Sequence, residues 1–122
     1  MTVFFYDSYA IIEYLNNNSR FISYFEQHRG ILTLLNILEV YYSVLWEGDT
    51  QRADLVLETL LPLAIEPRKE TIQRAMKFRY EHKKKNLSYA DCLGYQIALD
   101  QGIKFLTGDK EFEHVKNVEF VK

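Results

Sequence analysis

Apolar residues along this chain fall into short unbroken runs and longer helical repeats, and the two alternate. Thr2 to Tyr6 is apolar and β-rich with no alternation, which suits a strand covered on both faces. Asp7-Ser8 closes the run and can cap a helix from about Tyr9, where Ala10, Ile11, Tyr14 and Leu15 recur at helical spacing until Asn16-Asn17-Asn18. Ser19 to His28 is a second amphipathic piece, carrying Phe21, Ile22 and Phe25. After Gly30, Ile31 to Leu34 has the length and character of a second strand. Asn36 and Glu39 fit capping-box spacing, with Asn36 as the cap of a helix that runs to Trp46 and stops at Gly48. Thr50 can cap another helix through Leu61. Pro62 and Pro67 bracket a third strand, Leu63 to Glu66, and Arg68 to about Lys85 reads as a helix. Ser88-Tyr-Ala-Asp91 is a second capping box, and Gly102 stops its helix. Small residues at Ala90, Gly94 and Ala98 let that helix lie close to a sheet. Ile103 to Leu106 and Val118 to Val121 complete five strands, with one helical turn from Lys110 to His114 between them. Strands alternating with helices imply an α/β fold. It is a single three-layer domain over residues 1–122, with a mainly parallel sheet of about five strands flanked by helices.

Composition narrows the classes further. With 48% hydrophobic and 26% charged residues, the chain is neither disordered nor collagen-like. A lone cysteine, Cys92, excludes a disulfide framework and a cysteine-based zinc site, and reads as a small core filler. The apolar stretch Ile31 to Trp46 is interrupted by Asn36 and Glu39 and is too short to span a bilayer. Asp7 follows too short an apolar run for a signal peptide, so a reducing cytoplasm is the expected compartment.

The acidic residues are placed by topology. In an open α/β sheet, ligands bind beyond the carboxyl ends of the strands. Asp7 directly follows the first strand, Glu39 lies early in the helix after the second, and Asp109 follows the fourth. Asp91 opens the helix that leads back into the fourth strand, so its helix start lies on the same edge. Four carboxylates in one cleft repel one another and raise one another's pKa unless a cation is present. Carboxylate-only ligation selects Mg²⁺ or Mn²⁺, ions that hold phosphates and activate water for in-line displacement. No Ser or Cys has an obvious His partner, and no glycine-rich phosphate loop is present.

The ordered set of Asp7-Ser8, Glu39, Ala90-Asp91 and Leu106-Thr-Gly-Asp-Lys-Glu-Phe112 resembles a PIN domain. It is similar to the small ribonuclease toxins of the VapBC type over nearly the whole chain. The resemblance implies that Asp7, Glu39, Asp91 and Asp109 are the catalytic, metal-binding acids, with Ser8 and Thr107 orienting them as hydroxyls. It implies a Mg²⁺- or Mn²⁺-dependent endoribonuclease that cuts single-stranded RNA to 5′-phosphate and 3′-hydroxyl products. It also implies a homodimer and, for a toxin, a cognate antitoxin protein. Asn36 departs from the pattern, since the family more often has Ser or Thr three residues before the Glu.

Plainer readings stand beside this one. Asp7 is also what a helix cap looks like, and Glu39 and Asp91 are also capping-box partners. A degenerate PIN scaffold that binds RNA or a protein without cutting is a second function class. A phosphohydrolase of the haloacid dehalogenase type would need an Asp two residues after the first, where Tyr9 stands. Glu13, Glu111 and Glu113 read as solvated, with Glu111 a peripheral candidate. Arg68 to Lys85 carries eight Lys and Arg against Glu70 and Glu81, a net charge of +6 in a chain of net −2. Lys83, Lys84, Lys85 and Arg79 are therefore the candidate RNA contacts, the alternative being a solvated helix face. Of the 18 aromatics most read as core; Tyr41, Tyr42 and Trp46 could line a dimer or antitoxin surface.

Overall fold

The computed structural model describes residues 1–122. Four parallel strands make one sheet in the order β2-β1-β3-β4: β1 is Val3–Tyr6, β2 Arg29–Ile31, β3 Lys104–Thr107 and β4 Val118–Phe120. Helices α1 (Ser8–Leu15) and α2 (Ser19–Glu26) connect β1 to β2. Helices α3 (Leu34–Trp46), α4 (Thr50–Leu60), α5 (Lys69–Glu81) and α6 (Tyr89–Gln101) separate β2 from β3.

Side chains alternating along β1 divide the core in two. Phe4 and Tyr6 pack with Ile11, Phe21, Ile37, Val40 and Leu60 from α1 to α4. Phe5 points the other way, among Ala75 of α5, Leu93, Ile97 and Ala98 of α6, and Phe105 and Phe112. The result is the expected three-layer α/β sandwich, with strands buried on both faces as their unbroken apolar runs imply. Helix α6 lies close to the sheet because Gly94 has no Cβ; one added there would stand 2.3 Å from the Phe5 ring. No helix is long and apolar enough to cross a membrane.

Four expectations need correcting. The third strand, Leu63 to Glu66, shrinks to one parallel bridge between Leu32 and Ala64, because the segment from Leu61 to Leu63 with Pro62 is a 3-10 turn that uses up its start. The second strand is Arg29–Ile31 rather than Ile31 to Leu34, since Thr33 is already the cap of α3. Asn36 is therefore not a cap but a residue of the first turn, and its Oδ1 accepts the Thr33 N–H at 3.0 Å. Asp49, not Thr50, caps α4, accepting the Arg52 N–H at 2.9 Å. In addition α5 ends at Glu81, which leaves Lys83 to Lys85 in a loop. Tyr42 and Trp46 are not core: they stand out from α3 in a stripe with Leu34 and Leu38, and Tyr41 bonds Asp54.

Candidate functional site

Four elements deliver their acids to the carboxyl edge of the sheet. Asp7 directly follows β1, and its N–H extends the ladder by donating to the Leu106 carbonyl at 3.2 Å. Asp7 precedes α1 but makes no side-chain cap bond, so the plain helix-cap reading fails here. Its carboxylate instead turns inward and is only 1% exposed. Thr107, the last residue of β3, donates its hydroxyl to Asp7 Oδ2 at 2.7 Å and accepts the Asp109 N–H at 3.0 Å. One threonine thus ties two of the acids together across two strands. Gly108 lies between them because space is short: a Cβ there would come within 2.6 Å of the Tyr9 ring and 2.7 Å of the Val121 carbonyl.

Glu39 is reached by a buried polar chain. Ser8 donates its hydroxyl to Glu39 Oε1 at 2.6 Å, and Asn36 Nδ2 donates to that hydroxyl oxygen at 3.0 Å. Asn36 Oδ1 in turn accepts the Thr33 hydroxyl at 3.0 Å, so the amide is fixed at both ends. Asn36 is wholly buried, and its link to Ser8 is a contact within the candidate site that sequence reasoning missed. The sequence offered Asn36 only as a helix cap, at a position where the resemblance expects Ser or Thr. Asp91 does form the expected capping box: the Ser88 N–H donates to Asp91 Oδ2 at 2.8 Å, and the Asp91 N–H to Ser88 Oγ at 3.0 Å.

A profile of the PIN domain matches residues 4–118. The chain belongs to the PIN domain family. Among solved structures it is similar in fold to a toxin–antitoxin complex from Klebsiella pneumoniae, with a TM-score of 0.72 and 19% identity over 97% of this chain and 95% of that one. It is also similar to VapBC-1 from nontypeable Haemophilus influenzae, with a TM-score of 0.69 and 16% identity over 98% of this chain and 96% of that one. No curated protein sequence matches it.

Electrostatics mark the centre of this PIN domain. Burial pushes the Asp7 carboxyl well above the usual carboxylate range, and the nearby Asp91 and Asp109 charges push it further, against the Thr107 hydroxyl and the backbone N–H of Ser8. Burial also raises Asp91, helped by the Asp109 and Glu39 charges and opposed by its bonds to Ser88. So Asp91 is both a capping partner and a member of the acidic cluster. Asp7 Oδ1 is buried with no hydrogen-bond partner. A buried, unpartnered carboxylate oxygen among like charges is costly unless a cation or proton satisfies it.

The donors are all carboxylate oxygens, which fits Mg²⁺ or Mn²⁺. As the side chains stand, no three of them form a ligand shell. Asp91 is turned to Ser88 and Glu39 to Ser8. The fit rests on donor chemistry and on the free Asp7 oxygen.

The basic loop borders this edge. Lys85 Nζ donates to the Glu111 carbonyl at 3.1 Å, and the Asn86 N–H to Glu111 Oε1 at 3.4 Å. Glu111 donates its own N–H to Asp109 Oδ1 at 3.0 Å. Glu111, the peripheral acid of the sequence, therefore holds the loop against the Asp109 turn. Arg79 Nε donates to the Leu87 carbonyl at 3.2 Å, while Lys83 and Lys84 remain exposed.

Proposed function

We propose that this PIN domain is a Mg²⁺- or Mn²⁺-dependent endoribonuclease and the toxin of a toxin–antitoxin pair. The observation that carries the reading is Asp7: a carboxylate shut away from water, with one oxygen unpartnered, facing the charges of Asp91 and Asp109. A structural carboxylate would be given partners or replaced by an amide. This one keeps an oxygen free for a cation, whose charge would offset the burial that otherwise favours the protonated acid. Asp7, Asp91 and Asp109 would hold the ion, and Glu39 would hold it or orient the attacking water. When bound, the ion supplies positive charge on the phosphate and an activated water for in-line attack. Thr107 keeps Asp7 and Asp109 in register. Ser8, itself held by Asn36, keeps Glu39 aimed. Lys83, Lys84 and Lys85 would draw the RNA backbone toward an otherwise acidic edge.

The solved neighbours, a toxin–antitoxin complex and VapBC-1, support the toxin reading and a protein partner. The exposed stripe of Leu34, Leu38, Tyr42 and Trp46 on α3 is a surface that such a partner, or a second copy in a homodimer, would cover. The test is cleavage of single-stranded RNA by purified protein in Mn²⁺ and in EDTA, with Asp109→Asn as control. The proposal expects Mn²⁺-dependent cutting to 5′-phosphate ends that Asp109→Asn abolishes. RNA that is bound but never cut in Mn²⁺ would establish the non-cleaving scaffold instead.

A further inference from the structure

The last turn of α5, the basic loop after it and the first turn of α6 carry two exposed tyrosines, each with a cation seated on its ring. The Arg79 guanidinium carbon lies 4.4 Å from the centroid of Tyr89, and Lys83 Nζ lies 4.4 Å from the centroid of Tyr80. Even so, Tyr89 stays 61% exposed and Tyr80 71%. A single exposed tyrosine carries no message. Two of them, each interleaved with a cation within the most basic segment of the chain, have the make-up of a single-strand binding strip: rings for bases and positive charge for the backbone.

Position adds to composition. Tyr89 is the first residue of α6, at the carboxyl edge of the sheet and two residues before Asp91. Lys83 to Lys85 lead into it along the loop that Glu111 holds against the Asp109 turn. Arg79 is fixed twice, by its Nε bond to the Leu87 carbonyl and by its seat on the Tyr89 ring. The guanidinium covers one face of the ring, and most of the Tyr89 surface still lies in solvent, where a base can reach it. A strand whose phosphates follow the lysines presents a base to that surface as its backbone reaches the acids.

We infer that Tyr89, backed by Arg79, stacks a base of single-stranded RNA beside the scissile phosphate, with Tyr80 and Lys83 forming an outer base position. The inference rests on the ribonuclease reading and adds how the substrate is chosen. A base reaches the exposed ring only when it is free of its own stack, so unpaired segments are selected over duplex. Stacking accepts any base, so Tyr89 discriminates by strandedness rather than by sequence.

The test uses short fluorescent single-stranded RNA of mixed sequence in Mn²⁺. Binding is measured on an Asp109→Asn background that suppresses cutting, and kcat/KM on the otherwise native protein. Tyr89→Ala should weaken binding and lower kcat/KM about ten-fold. Tyr89→Phe, which keeps the ring, should preserve both. On an abasic strand of the same length, Tyr89→Ala and native Tyr89 should bind alike. The log–log salt slope should not change with Tyr89→Ala, because a stacked base releases no counterions. Native protein that cuts RNA while Tyr89→Ala cuts and binds it equally well would overturn this inference and leave the ribonuclease reading standing. A loss of binding as large on the abasic strand would also overturn it. Native protein that neither binds nor cuts RNA would overturn both.

Discussion

Replacing Asp7 with Asn should stabilise the metal-free protein and abolish its response to Mn²⁺. The carboxylate is 1% exposed, with Oδ2 bonded to Thr107 and Oδ1 bonded to nothing. A buried acceptor left unsatisfied costs about 1–3 kcal/mol, and more when charged. In the variant the amide oxygen still accepts the Thr107 hydroxyl, at a loss of about 1 kcal/mol for a bond no longer assisted by charge. The amide N–H groups replace the orphaned oxygen and offer donors toward the Asp91 and Asp109 charges. The balance is a gain of up to about 2 kcal/mol, which for a chain of 122 residues raises the melting midpoint by up to about 8 °C. pH dependence gives a second readout. The native Asp7 pKa lies above its unfolded value, so the folded state holds a proton that the unfolded chain has released. That stability is present at acid pH and is lost as pH rises through the native pKa. In EDTA the native protein should therefore melt higher at pH 5 than at pH 7.5. Asp7→Asn should show a smaller difference, with Asp91, also raised, retaining part of it. Mn²⁺ at a hundredfold excess over its Kd should add about 2.7 kcal/mol to the native protein and nothing comparable to the variant. The assay is thermal melting of both proteins in EDTA and across a Mn²⁺ titration. An Asp7→Asn protein that melts several degrees below native in EDTA would refute the reasoning, because the carboxylate would then be a structural asset.

Three further outcomes are expected. Asp91→Asn keeps an oxygen for the Ser88 N–H, so metal-free stability measured by urea melting should stay within about 0.5 kcal/mol of native while RNA cleavage falls on the order of 10²–10³-fold. Joint replacement of Lys83, Lys84 and Lys85 by Gln should reduce the log–log salt slope of RNA binding by about 0.7 for each lysine that touches a phosphate, whereas an unchanged slope would make the loop only a solvated face. Gly94→Ala drives a methyl to within 2.3 Å of the Phe5 ring and should cost about 1–3 kcal/mol in a denaturant melt, with no change in the Mn²⁺ Kd per folded molecule.

Local pattern revealed most of the layers. The runs at Thr2 to Tyr6 and Ile103 to Leu106 are apolar on both faces, and each became a central strand because helices cover both sides of the sheet. Between residues 31 and 36 two registers competed. Thr33 with Asn36 and Asn36 with Glu39 have the same capping spacing, and local sequence does not separate them. The tertiary contact of Asn36 with Ser8 does, by drawing Asn36 under the sheet edge and leaving Thr33 as the cap. Leu63 to Glu66 had a strand's composition, but the turn at Pro62 leaves it only one residue of pairing. The placement of Asp7, Asp91 and Asp109 was legible because parallel topology sends strand ends and helix starts to one edge, whereas Glu39 stands a turn deeper in α3 than a cap at Asn36 implied and is not a capping-box partner. What joins them was not legible. Thr107 reaches Asp7 across 100 residues and Ser8 reaches Glu39 across 31, and such contacts exist only once the layers have closed. The same holds for the unpartnered Asp7 oxygen, which no motif encodes.

The central claim is that the edge carboxylates hold a divalent cation through Asp7. Anomalous diffraction from crystals of the native protein soaked in Mn²⁺, at a concentration shown to support RNA cleavage, tests it most directly. The account predicts an anomalous peak coordinated by Asp7 Oδ1, with Asp91 and Asp109 turned toward it. No peak at the carboxyl edge of the sheet, or a peak that leaves Asp7 uncoordinated, would contradict it.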